Sequence, residues 1–163
     1  IFRKVRRRGN IMFRVLEDIN AKNADAMHTA GEAMTVGMGV IKVAGKEVEF
    51  PAAATAKDIF FVTKEVCPTG LNTLNGQISD YDFEAIADGT PVVLVKPIIG
   101  EIYWTDQADT VVVGDYLLVG TDGLFEEAGS ATTSNLKVIS ITEKDAGTHA
   151  GISIEVVDWA TMA

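Results

Sequence analysis

Cysteine, histidine and aromatic residues are scarce in this 163-residue chain, and each scarcity excludes something. Cys67 is the single cysteine, so no intramolecular disulfide can form and no pair of thiolates is available for zinc. A domain that folds without disulfides suits assembly in a reducing cytoplasm. Aromatic content of 7% is low for a ring-stacking ligand platform. No apolar run approaches the roughly 18 residues needed to span a bilayer. The longest, 91–100, is broken by Lys96 and Pro97. The basic residues near the start are not followed by an apolar stretch, so no secretory signal is expected.

What is present is a globular composition, 47% apolar and 23% charged, of a length that suits one domain with an arm. Charge is split unevenly along it. Residues 1–11 hold Arg3, Lys4, Arg6, Arg7 and Arg8 and no acidic residue; the other nine basic residues face 23 acidic ones, leaving residues 12–163 at −14. Such a body repels nucleic acid and anionic membranes, so neither is expected as a direct partner. Two readings of the basic run stay open. Arg6-Arg7-Arg8-Gly9 is encodable as a purine-rich ribosome-binding site upstream of Met12, which would make residues 1–11 a translated leader. Alternatively the run is a cationic arm that docks on an acidic partner.

Residues 1–33 are expected to form an N-terminal arm, and residues 34–163 a β-domain. Met12, Val15, Leu16 and Ile19 have helical spacing, but Asn20, Asn23 and Asp25 weaken a helix, so a short helix and an extended arm both fit. Probable strands follow at 34–43, 46–52 and 59–66, with Ala44-Gly45-Lys46 as a hairpin turn and Val48 and Phe50 alternating against Glu47 and Glu49. Residues 67–77 read as loop, 90–97 as a strand and 101–104 as part of a hairpin. Short β-branched runs at 111–113, 116–119, 138–141 and 152–157, separated by turn formers, complete a small antiparallel barrel or sandwich. Residues 129–134 read as a surface loop. Val93, Val95, Val113, Leu117, Val119, Val138, Ile141, Ile154 and Val156 are expected to face inward.

No candidate site outweighs its structural explanation. Asp80, Asp82 and Glu84 would share one strand face and offer oxygens to calcium, but alternation with Tyr81 and Phe83 is ordinary for a half-buried strand. Asp106, Asp109 and Asp115 sit where turns recruit aspartate for local backbone bonding. His149 reads as a turn residue and His28 as packing beside the N-terminal segment. Cys67 lacks a nearby base, no nucleophile elbow or phosphate loop occurs, and Trp104 and Trp159 read as core or interface anchors. The residues therefore point to no enzyme, no metal and no cofactor.

One likeness does stand out in the order of turns and strands. It is carried by Ala30-Gly31, Gly39-Val40-Ile41, Ala87-Asp88-Gly89-Thr90-Pro91-Val92-Val93-Leu94, Val113-Gly114-Asp115-Tyr116-Leu117, Gly120-Thr121-Asp122-Gly123-Leu124-Phe125 and the closing runs 136–141 and 152–157. In these the chain resembles the capsid decoration, or cement, proteins of tailed bacteriophages; residues 67–89 depart from the pattern. The resemblance implies an all-β structural protein of the virion, made in the host cytoplasm and placed on the outer capsid surface. Its partners would be the major capsid protein and its own copies, most simply as a homotrimer, and its task capsid stabilisation. Phe2, Arg3, Arg6, Arg7, Arg8, Phe13, Val15 and Leu16 are the expected interface residues, because an ordered segment this apolar must be buried against another chain. The alternative reading is a carbohydrate- or ligand-binding β-module of a phage tail or cell-surface assembly. It would use Tyr81, Tyr103, Trp104, Tyr116 or Trp159.

Overall fold

A computed structural model of the chain describes residues 13–17, 24–63, 85–141 and 151–163. Every regular element among them is a strand, which makes the fold all-β. In chain order these are β1 (Phe13–Glu17), β2 (Ala24–Ala30), β3 (Met34–Thr35), β4 (Gly39–Val43), β5 (Glu47–Glu49), β6 (Phe60–Thr63) and β7 (Ala85–Ile86). They continue with β8 (Pro91–Val95), β9 (Ile102–Thr105), β10 (Leu117–Val119), β11 (Phe125–Glu127), β12 (Thr133–Ser140) and β13 (Ile152–Thr161).

Four strand assemblies share one core, the two-stranded pairs β10–β11 and β3–β7 among them. Strands β2, β5, β4, β6 and β8 close into a barrel, and β1, β9, β13 and β12 form an antiparallel sheet in that order. The hairpin turn at 44–46 is where the Gly45-Lys46 pair predicts it, with φ of 83° and 63°, and it pairs Val43 with Glu47. Val48 is enclosed while Glu47 and Glu49 are exposed, as alternation requires. The barrel closes through one parallel pair, Thr29 with Glu47 and Ala30 with Val48, and through β2 against β8. Between barrel and sheet, Phe61 of β6 stacks on Tyr103 of β9 at 4.7 Å and on Phe125 of β11 at 5.2 Å. Gly39 lets β4 approach β10: a Cβ there would lie 2.4 Å from Val119 Cγ2.

Several expectations need correction. Residues 24–30, expected in the arm, are a barrel strand, because β8 takes their backbone hydrogen bonds. Likewise β1 is hydrogen-bonded to β9 of the same chain, with Phe13 opposite Thr105 and Val15 opposite Tyr103. The run 34–43 is two strands, broken at Val36-Gly37, where Gly37 takes φ of 93°. Strand β9 forms no hairpin with β8; it sits between β1 and β13. Thr133 and Ser134 begin β12 and do not belong to a loop.

Of the nine residues expected inward, Val95, Leu117, Val119, Val138, Ile154 and Val156 are buried. Val93 is only half-buried, because β8 turns Val92 and Leu94 into the barrel. Val113 and Ile141 are exposed, and the run 111–113 is not a strand but leads into a turn.

Candidate docking surface

Of the seven large apolar side chains exposed among the described residues, Val112, Val113, Ile139 and Ile141 belong to the 111–115 turn and the end of β12 that it is hydrogen-bonded to, whereas Met27, Ile99 and Trp159 stand elsewhere. Val112 and Val113 are 58% and 57% exposed, and Ile139 and Ile141 are 36% and 40% exposed. Local chemistry holds them there. The Asp115 carboxylate accepts the Val112 N–H at 2.8 Å, which pins the turn and forces the two valines outward. The turn is then sewn onto β12: Gly114 N–H donates to Val138 O and Val138 N–H to Asp115 O, both at 2.8 Å. Alternation in β12 buries Leu136 and Val138 and turns Lys137 outward, and Ile139 is exposed where the pairing with β13 shifts register between Val138 and Ser140.

Beside this patch lies a shallow open pocket of about 190 Å³, lined by Thr105, Asp106, Asp109, Val111, Ile141 and Gly151 among others. Its floor is hydrogen-bonded. Thr105 Oγ1 donates to Gly37 O at 3.0 Å and accepts the Gln107 N–H at 3.1 Å. Gly151 is required where it stands, since a Cβ would come within 2.4 Å of the Trp104 ring. Charge around the patch is mainly negative. Asp106, Asp109 and Asp115 border it, and Glu155 sits across from Lys137 on β13. The Lys137 ammonium itself rests over the Tyr116 ring, 5.7 Å from its centroid. An apolar face with an acidic margin suits an apolar, cationic protein segment.

The residues singled out in the sequence are distributed differently. Phe2, Arg3, Arg6, Arg7 and Arg8 lie outside the described residues, as do Cys67, Asp80, Tyr81, Asp82, Glu84 and His149. Phe13, Val15 and Leu16 belong to β1. Asp115 bonds its own turn, as expected, and Asp106 Oδ1 accepts a side-chain hydrogen bond from Gln107 at 2.8 Å. His28 is half-buried in β2, paired with Val92. Trp104 and Tyr103 are wholly buried, so neither offers a ring to a ligand; Trp159 is 47% exposed on β13. Among the described residues no group of three or more histidine, cysteine or carboxylate side chains is placed to hold a metal ion.

Sequence reasoning missed Val112, Val113, Ile139 and Ile141 as surface residues. The available signal was Gly114-Asp115, a turn pair that cannot sit inside a strand series without displacing its neighbours. Neither a protein-family model nor a curated protein matches the chain.

Proposed function

We propose that this protein is a capsid decoration protein, a structural component that binds the outer surface of the major capsid protein shell of a tailed bacteriophage. On this reading it stabilises the mature head and acts as a binding module, most simply as a homotrimer. The observation that carries the proposal is the apolar face formed by Val112, Val113, Ile139 and Ile141 on a strongly acidic protein. Exposed apolar clusters of this kind mark contact surfaces, because leaving them in water forgoes burial. The resemblance in turn order to decoration proteins selects the partner.

A closed barrel supports the role mechanically. It has no open edge to fray, and its core is continuous with that of the sheet. The acidic exterior keeps decorated particles dispersed.

Sedimentation with heads of the phage that encodes the chain tests the proposal. The protein should co-sediment with expanded heads and raise their resistance to heat, and Val113→Asp should weaken binding. Wild-type protein that ignores expanded heads overturns the reading.

A further inference from the structure

Among the described tyrosines and tryptophans the fold leaves one ring open. Tyr103 and Trp104 are enclosed, and the Lys137 ammonium sits over Tyr116, whereas Trp159 is 47% exposed near the end of β13. Its surroundings are hydroxyl-bearing. Ser134 Oγ points inward, donating to Leu117 O at 2.6 Å, and Ser134 is paired with Ala160. Alternation then puts Thr133, Thr161 and Trp159 on the outward face. Thr133 and Thr161 stand directly opposite each other, their Oγ1 atoms 3.2 Å apart. Trp159 lies two residues from Thr161, about 6.5–7 Å along the strand. The strand end is held in place: Met162 N–H donates to Thr132 O at 2.8 Å and Ala131 N–H to Met162 O at 3.0 Å.

We infer that Trp159, Thr133 and Thr161 form a binding site for a neutral saccharide. A pyranose has an apolar face of C–H groups and a rim of hydroxyls. The open indole matches the first, and the threonine pair, which both donates and accepts, matches the second. The spacing lets one sugar ring lie on the indole while its rim reaches the threonines. Charge selects within the class, since a chain at −9 repels uronic and sialic acids. A protein anchor would be expected at the centre of an apolar cluster, and here the outward neighbours toward the strand end are hydroxyls. The site lies at the opposite end of β12 from Ile139 and Ile141, so it does not depend on the reading of their face as the capsid contact.

The two tryptophans supply their own control, because each contributes one indole Nε1–H signal to the NMR spectrum. Titrating the full chain with cellotetraose or maltotetraose should shift the Trp159 signal and leave that of buried Trp104 in place. Tetragalacturonate, an anionic saccharide of the same length, should shift neither. In calorimetry Trp159→Ala should abolish binding, and Thr161→Val, which removes one hydroxyl and keeps the shape, should weaken it by about 2–12-fold. A Trp159 signal that neither neutral saccharide moves overturns the inference. So does equal binding by Trp159→Ala. A signal that moves only as the protein itself is concentrated assigns the ring to a contact between copies and overturns it too. If Trp159→Ala does not fold, the wild-type titration and Thr161→Val carry the test. Failure of the shell reading looks different: saccharide still shifts Trp159 while expanded heads bind nothing.

Discussion

Val40, Val48 and Val62 are wholly enclosed in the barrel, whereas Val112 and Val113 stand more than half exposed at the end of the sheet. The side chains are the same; what surrounds them is not. In the barrel each strand has a neighbour on both edges, so every inward side chain meets another across the closed interior. At 111–115 the Asp115 carboxylate and the Val138 backbone hold a turn, and a turn has no second layer to cover it. A valine-rich run is thus core in one place and contact surface in the other. Burial follows closure, not composition.

The sharpest way to break this comparison is to truncate a side chain that joins the two assemblies. Phe61→Ala should cost about 3–5 kcal/mol, since the ring packs between Tyr103 and Phe125. Denaturant unfolding measures it, and a loss below about 1 kcal/mol would mean barrel and sheet do not share a core. Leu117→Ala, on the wholly buried β10, should cost about 2–5 kcal/mol in the same assay.

Next in size is Gly39→Ala. Its Cβ would press on Val119 at 2.4 Å, so about 1–3 kcal/mol should be lost through overpacking at the β4–β10 contact. An unchanged melting midpoint would show that β10 can move away. Tyr103→Phe tests the buried polar point between the assemblies. It removes the hydroxyl that donates to the fully enclosed Glu101 carboxylate, at an expected cost of about 1–3 kcal/mol.

Smallest in stability, and most telling for function, is Val113→Asp. The position is exposed, so the midpoint should move by no more than about 0.5 kcal/mol. Co-sedimentation with expanded heads should nevertheless fall. A large loss of stability would show that Val113 packs into the fold and is not a surface residue.

Parts of this arrangement are legible in the sequence. The 44–46 hairpin follows from Gly45, which takes a positive φ without steric cost, and Val48 between two glutamates points inward by alternation alone. β8 was harder. Four consecutive apolar residues carry no alternation, so nothing local marks Val93 as the one that stays only half-buried while Val92, Leu94 and Val95 are enclosed. The patch was illegible for the same reason: Val111, Val112 and Val113 are identical letters with three different neighbours.

By itself, then, the sequence determined the strand class, the main turns, and the division between a cationic start and an acidic body, because propensity, turn chemistry and charge act over a few residues. Only the tertiary structure decided that β2 closes the barrel against β8 and β5, that Phe61, Tyr103 and Phe125 meet, and that two valines remain outside. These depend on contacts between segments far apart in the chain. Which pairs form is set by how the whole set of strands can bury its apolar faces at once, and no local run contains that information.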